Sequence, residues 1–297
     1  MSTALLLLPD FLLIVLGFVL CRHTALNRGV WDAVERLVYY LLFPVLLFNS
    51  ILKSPLQPTQ TLSLAAASVG TVACGIALAF SVGRWPGVDA RLHASGAQTA
   101  FRFNSYIALA LAERLGGAPG LAWMALAIAL CVPLCNVAAV WPLARHGGHS
   151  YGRELLRNPL ILSTVAGLLA NLIGLRFPDA MSTTLQRIGL AALPLGLMGA
   201  GASLRWGGLK ESPWLATAFM TIRHAILPAV AIGLTAALAL PPAQRTIVVL
   251  FAALPTSSSA YVLASRMGGD GAYTAGLVTL STLLGMLSIP LWLAVIH

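Results

Sequence analysis

The chain has 297 residues, of which 58% are hydrophobic and only 9% are charged, with a formal net charge of +9. Because a soluble domain carries about 25% charged residues, this composition excludes a predominantly soluble protein and indicates a polytopic membrane protein. The positive charge does not require nucleic acid as a partner, since short cytoplasmic loops of membrane proteins are also rich in Lys and Arg.

Ten apolar runs follow one another along the chain, and most are long enough to cross a bilayer as a helix, which takes roughly 17–25 residues. Their approximate bounds are 4–21, 37–53, 62–83, 97–115, 120–143, 159–176, 181–204, 213–239, 243–267 and 272–296. The three residues before the first run contain no Lys or Arg, so we expect this run to be retained as a helix and not cleaved as a signal peptide. The sequence therefore predicts an all-α membrane protein with ten transmembrane helices.

The two halves of the chain resemble each other at a nearly constant offset. Three pairs of residues are 150 positions apart, namely Pro9 and Pro159, Gly17 and Gly167, and Pro44 and Pro194. Runs four and nine end alike, in Arg114-Leu-Gly-Gly and Arg266-Met-Gly-Gly. We expect a first five-helix repeat over 1–143, a cytoplasmic connecting loop over 144–158 and a second repeat over 159–297. Five is an odd number, so the second repeat must be inverted, as in many secondary transporters.

The basic residues predict the orientation. With the N-terminus outside, eleven of the eighteen Lys and Arg residues fall in inner connections and only four in outer ones. Such an excess of positive charge is typical of cytoplasmic loops. We therefore expect both termini outside the membrane.

Run nine contains the most unusual segment of the chain, Leu254-Pro-Thr-Ser-Ser-Ser-Ala260. Pro255 removes one helical hydrogen bond, and the hydroxyls of Thr256, Ser257 and Ser258 follow it at about mid-depth. One alternative is a mild kink with the hydroxyls bonded to their own helix. We favour a broken helix that lines a substrate site, because polar groups at this depth need partners in protein or in a cavity.

Run four supplies the matching segment in the first half. The ends of runs four and nine, at Arg114 and Arg266, are 152 positions apart, and this offset places Asn104 and Ser105 opposite the hydroxyl segment of run nine. The Asn104 side chain can both donate to and accept from a carboxylate or an amide. Arg102 lies two residues earlier and could attract anions, although the alternative is that it reaches the cytoplasmic interface. Asn49 follows the Pro44 kink in run two and is a further candidate.

The remaining polar residues exclude other kinds of site. All nine acids fall at or near run ends, which disfavours a carboxylate-based proton or sodium antiporter, although sodium can still bind to neutral oxygens. Cys131 and Cys135 share a helix face without His or acid nearby, so we expect no metal and no cofactor. Arg223 and His224 lie inside run eight, and one His without a partner is a weak signal for a proton relay. A serine nucleophile needs an adjacent base, so an intramembrane enzyme is a remote alternative.

Four short segments resemble the auxin efflux carrier family, which includes plant auxin exporters and bacterial permeases such as malonate carriers. They are Leu41-Leu-Phe-Pro-Val-Leu-Leu-Phe-Asn49, Phe101-Arg-Phe-Asn104, Asn158-Pro159 and Leu254-Pro-Thr-Ser-Ser258. The resemblance implies a scaffold domain and a transport domain, with the helices of runs four and nine broken and crossed at the site. It also implies a small organic anion as substrate and, through the likeness to bacterial permeases, a location in the bacterial inner (plasma) membrane.

We therefore expect a carrier that moves a small organic anion, such as a carboxylate, by alternating access, and not an enzyme. The candidate binding residues are Asn104, Ser105, Pro255, Thr256, Ser257, Ser258, Asn49 and Arg102. A sodium-coupled symporter of the bile-acid type is the alternative. The expected partners are the organic anion and membrane lipid, and a homodimer is left open.

Overall fold

All regular structure that the computed structural model describes is helical. It describes residues 3–53, 58–144, 159–205 and 207–296. The α-helices are, in chain order, α1 (Thr3–His23), α2 (Arg28–Leu37), α3 (Phe43–Lys53), α4 (Pro58–Val82), α5 (Ala90–Gly96), α6 (Ser105–Ala144), α7 (Pro159–Leu172), α8 (Asp179–Leu190), α9 (Ala192–Ala202), α10 (Pro213–Thr221), α11 (Leu227–Ala237), α12 (Pro242–Ala253), α13 (Ser259–Arg266) and α14 (Gly271–Ile296). Residues 145–158, which hold most of the predicted connecting loop and Asn158, lie outside the described residues.

Four described helical stretches are long and apolar enough to cross a membrane. They are Leu62–Val82, Ala90–Val140, Pro213–Ala237 and Gly271–Ile296, and the shorter apolar helices are Leu162–Leu172 and Pro242–Ala253. The count of ten spans stays a prediction.

Two described helices, α2 and α5, begin at least seven residues before the apolar runs that we predicted, and each begins at a polar cap. The side chain of Asn27 accepts a hydrogen bond from the Gly29 N–H at the start of α2. The side chain of Asp89 accepts one from the Leu92 N–H at 2.8 Å at the start of α5. Run four therefore begins earlier than we predicted, because a capped polar turn precedes its apolar part.

The chain divides into two compact units. The first unit comprises Met1–Thr61, Tyr106–Ala129 and Tyr151–Ser203, and the second comprises Leu62–Ser105, Leu130–Ser150 and Leu204–His297. Each unit contains segments from both halves of the sequence.

In the first unit, α1 packs against α9, and α3 packs against α7. Both contacts depend on glycine. A Cβ atom on Gly17 would lie 1.9 Å from the carbonyl oxygen of Met198, and one on Gly167 would lie 3.1 Å from that of Phe48. The absence of a side chain at these positions is what allows each helix pair to approach closely.

A buried ion pair lies in the same unit. Asp10 is only 5% exposed and its carboxylate pairs with the guanidinium of Arg114 in α6. We expected Asp10 near the end of the first run, whereas it lies in the third turn of α1. The pairing explains this position, because a buried carboxylate is tolerated when a cation compensates its charge.

Two π-helical turns interrupt the helices, and each is followed two residues later by proline. The first is Val38–Leu42 before Pro44, and the second is Ile222–Ile226 before Pro228. Proline has no N–H for the carbonyl four residues earlier, so the helix widens locally and the hydrogen bond spans five residues. At Pro44, where we predicted a kink, the helix is therefore widened by the π turn over Val38–Leu42.

The glycine contact between α1 and α9 can be tested with a matched pair of substitutions. Gly→Ala in a helix interior contributes about 0.8–1 kcal/mol of helix propensity, and Gly233→Ala adds its Cβ where no atom lies within 4 Å. We expect Gly233→Ala to keep or raise the thermal unfolding midpoint in detergent, and Gly17→Ala to lower it. Equal midpoints for the two variants would contradict the close contact with Met198.

Candidate substrate site in the second unit

The fourth apolar run is interrupted between α5 and α6. A 3₁₀ turn over Ala97–Ala100 follows α5, the backbone of residues 101–104 leaves the helix, and α6 begins at Ser105. Phe101 and Asn104 are buried, at 0% and 5% exposure. Run four is therefore broken at residues 101–104, as the family resemblance implies. Farther on, Gly117 (φ 57°, ψ −150°) separates the parts of α6 that correspond to runs four and five.

The ninth run is interrupted between α12 and α13. Leu254 has an extended backbone (φ −58°, ψ 146°), and the helix resumes at Ser259. Thr256 is fully buried, Ser257 and Ser258 are partly exposed, and Ser259 is exposed. This segment is thus a true break and not a mild kink, because neither Pro255 nor its neighbours continue the helix.

The two interruptions are bonded to each other. The Asn104 N–H donates to the Pro255 carbonyl oxygen at 2.9 Å. The rings of Phe103 and Phe251 meet edge to face with centroids 4.6 Å apart. Gln98, just before the first break, donates from Nε2 to the carbonyl oxygen of Ala260, just after the second, at 3.2 Å. Runs four and nine therefore contact each other at their breaks.

Arg223 provides donors for two of the carbonyl groups that the second break leaves without a helical partner. Its Nε donates to the Leu254 carbonyl oxygen at 2.5 Å and its Nη2 to that of Phe251 at 3.2 Å. The side chain is 1% exposed. The sequence indicated only that Arg223 lies inside run eight, but a helix that ends within an apolar unit attracts a cation to its last carbonyl groups.

His224 extends the hydrogen bonding on the other side of Pro255. Its Nε2 lies 2.8 Å from the Ser281 hydroxyl and its Nδ1 lies 2.9 Å from the Ser288 hydroxyl. Ser281 Oγ also accepts the N–H of Thr256 at 3.0 Å. We did not identify Ser281 and Ser288 from the sequence. Their seven-residue spacing, which places two hydroxyls on one face of an apolar helix, is the signal that could have found them.

Arg102 lies against the hydroxyl segment of the second break. Its Nη2 donates to the Ser259 hydroxyl at 2.9 Å, and this hydroxyl lies 2.8 Å from the Ser257 hydroxyl. Within the part of the chain that the structure describes, the buried Arg102 Nη1 and Thr256 Oγ1 have no hydrogen-bond partner. No Asp or Glu occurs in residues 97–105 or 250–260, so the local charge is positive.

The other candidates are placed differently. Ser105 begins α6, and Asn49 belongs to the first unit, in α3. Asn49 is 7% exposed, and its Oδ1 has no hydrogen-bond partner among the described residues. Over the same described ranges, no group of three or more His, Cys, Asp or Glu residues could hold a metal ion.

Broken helices whose ends meet inside an apolar helical unit are the construction of membrane carriers, in which the freed backbone groups surround a substrate. The fold and the site thus define a membrane transporter.

Comparison with known proteins identifies the family. Residues 142–293, just over half of the chain, match the membrane transport protein family. The chain is 24% identical to a Rhizobium meliloti protein named "Putative malonate transporter", over 96% of this chain and 92% of that protein. It is 26% identical to an "Uncharacterized transporter" of Methanothermobacter thermautotrophicus, over 97% of each chain. The chain therefore belongs to the membrane transport protein family, which is the auxin efflux carrier family that its motifs resemble. It is an integral membrane transporter and not an enzyme.

The role of Arg223 at the second break leads to a stability prediction. Arg223→Met keeps the length and the apolar part of the side chain but leaves two buried carbonyl groups without a donor, which costs about 1–3 kcal/mol each. We expect a clear fall in the thermal unfolding midpoint in detergent. Arg84→Met, at an exposed arginine of the same unit, should leave the midpoint unchanged. Equal midpoints for the two variants would mean that Arg223 does not stabilise the break.

Proposed function

We propose that this protein is a secondary transporter that carries a small organic anion, such as a carboxylate, by alternating access. The substrate is held where the breaks of runs four and nine meet. The observation that carries the proposal is Arg102, whose guanidinium contacts the hydroxyl of Ser259 and keeps Nη1 unpaired. A planar guanidinium is suited to binding a carboxylate through two parallel hydrogen bonds.

The surrounding groups favour an anion as well. The half-helices α6 and α13 both begin at this crossing, and helix N-termini carry partial positive charge. The hydroxyls of Thr256, Ser257 and Ser258 can donate to carboxylate oxygens. Malonate is the first substrate to test, because one relative is named for it.

A sodium-coupled symporter is the second candidate. Two buried oxygens beside the crossing, Gln98 Oε1 and Thr256 Oγ1, have no hydrogen-bond partner among the described residues. Hard cations accept such neutral oxygen ligands. Uptake that depends on a sodium gradient would favour this candidate, and equal uptake with potassium in place of sodium would favour a carrier without sodium.

The proposed architecture is ten spans in two inverted repeats. Gly17 meets the carbonyl of Met198, and Gly167 meets that of Phe48. Position 167 is 150 residues after position 17, and position 48 is 150 residues before position 198. The second contact is therefore the repeat-related counterpart of the first. The packing of α1 on α9 and of α3 on α7 is related by the same exchange. Such paired contacts are typical of transporters built from internal repeats.

The proposed orientation places both termini outside a bacterial inner membrane. Within the second unit, the segments that the positive charges assign to the cytoplasm contact one another. The rings of Trp85 and Trp214 stack with centroids 5.9 Å apart, and the Asp270 N–H donates to the Ser95 hydroxyl at 2.7 Å. Tryptophan is enriched where membrane meets water. These contacts support a common side for the connections that hold Arg84, Arg91, Arg205, Lys210 and Arg266.

Binding measurements on purified protein test the site. A hydrogen bond to a charged group contributes about 1.5–3 kcal/mol, which corresponds to about a tenfold to hundredfold change in Kd. We expect Arg102→Gln to weaken malonate binding by this factor and Asn104→Ala to weaken it by about tenfold. The double variant should lose less than the sum of the two free-energy changes, because the residues would contact one ligand. Arg84→Gln is the matched control at an exposed arginine.

The site would be misplaced if Arg102→Gln and Asn104→Ala both bound malonate like the natural protein while Arg84→Gln did not.

Labelling of single cysteines tests the orientation. Ala25 and Leu175 are exposed in connections that the positive-inside pattern assigns to opposite sides. In a variant without the four natural cysteines, we expect Ala25→Cys to react with a membrane-impermeant maleimide only after the cytoplasmic side is opened. Leu175→Cys should react in intact spheroplasts. Reaction of both from one side would contradict the inverted repeat.

A further inference from the structure

The hydrogen bonds of His224 connect a π turn to the substrate segment. We propose that His224 is a positioning residue for the substrate site, because it holds the Ser281 hydroxyl that fixes the Thr256 backbone and thereby aims the Thr256 side chain. This inference rests on the proposed function, since it assumes that Thr256 faces the substrate.

The segment around Pro255 is held from both sides by adjacent residues. Arg223 donates to the carbonyl oxygen of Leu254, immediately before Pro255. His224 contacts Ser281, which accepts the N–H of Thr256, immediately after it. Both residues lie in the second π turn, Ile222–Ile226. Such turns are found frequently at functional sites, and this one directs two consecutive polar side chains toward the same break.

The backbone of His224 is fixed as well. Because Pro228 has no N–H, it cannot donate to the carbonyl oxygen of His224 four residues earlier. The indole Nε1 of Trp292 donates to that oxygen instead, at 2.7 Å. The imidazole therefore projects from a backbone that α14 holds in place.

The face of α14 that receives His224 is shaped around Pro255. Ser281, Gly285 and Ser288 lie on one helix face, because they are four and three residues apart. A Cβ on Gly285 would lie 3.2 Å from the Cδ of Pro255, so glycine leaves room for the proline ring between the two serines.

The hydrogen bonds favour a neutral imidazole. Ser281 Oγ accepts the Thr256 N–H, so its own proton is free to be donated to His224 Nε2, while Nδ1–H donates to Ser288. The opposite tautomer would leave the proton of the fully buried Ser281 without an acceptor, whereas Ser288 is 9% exposed. A protonated imidazole would leave the protons of both serines unpaired and would place a second positive charge beside Arg223.

The consequence concerns the Thr256 hydroxyl. Thr256 is fully buried, and its Oγ1 has no partner within the described residues. A β-branched side chain has few χ1 rotamers once its backbone is fixed. The bond from Thr256 N–H to Ser281 therefore also limits the directions in which Oγ1 can point, which prepares it to donate to a substrate oxygen.

Two amide substitutions separate positioning from simple space filling. The terminal amide of Gln reaches the position of Nε2 and can accept from Ser281, whereas the amide of Asn reaches only that of Nδ1. We expect His224→Asn and Ser281→Ala to raise the malonate KM of uptake by about fivefold with little change in maximal rate. His224→Gln should stay close to the natural protein. Thr282→Val is the control, because the buried Thr282 hydroxyl is bonded to its own helix at Val278.

Hydrogen exchange at the Thr256 amide tests the same inference without transport. We expect faster exchange in His224→Asn and Ser281→Ala than in His224→Gln and Thr282→Val. Equal exchange in all four variants, or equal KM values for the Asn and Gln variants, would overturn the positioning role. Absence of malonate uptake by the natural protein would count against malonate as the substrate, while the exchange result would still decide the role of His224.

Discussion

The hydrogen bond from the Asn104 N–H to the Pro255 carbonyl is the constraint on which the second unit depends. Two apolar helices are broken, and every backbone group that a break frees must find a partner in an environment without water. Part of this requirement is met between the two breaks, because the Pro255 carbonyl of the second accepts the Asn104 N–H of the first. Arg223 and Ser281 supply two further partners, for the Leu254 carbonyl and the Thr256 N–H.

This solution also determines where polar side chains remain available. Groups used for the backbone, such as the Arg223 guanidinium, are committed to fixed partners. The Arg102 Nη1 and the Thr256 hydroxyl have no such partner among the described residues, although burial of an unpaired polar group costs about 1–3 kcal/mol. This cost lowers the stability of the empty site, and it is removed when a bound ligand supplies the missing hydrogen-bond partners. The stability of the break and the proposed capacity to bind an anion therefore have one physical origin.

The sequence predicted the break in run nine because Pro255 and the hydroxyl residues after it are unusual in an apolar run. In run four the repeat offset pointed to Asn104, but no proline lies in residues 97–115, so the break there was implied only by the family resemblance. It did not predict the caps Asn27 and Asp89, which extend helices into polar sequence. The roles of Arg223 and His224 were missed for a different reason. Their partners are backbone carbonyls and serines that are 28 to 64 residues away in sequence, and helical periodicity carries no information about contacts at that separation.

A carboxylate bound directly to Arg102 is the central element of the proposed function. Solid-state NMR can measure the dipolar coupling between malonate labelled with ¹³C in its carboxyl groups and protein labelled with ¹⁵N in its arginine side chains. We expect the coupling of a direct carboxylate–guanidinium pair, and its loss in Arg102→Lys protein that still binds malonate under saturating conditions. Unchanged coupling in the Arg102→Lys protein, or no coupling while malonate is bound, would contradict the proposed site.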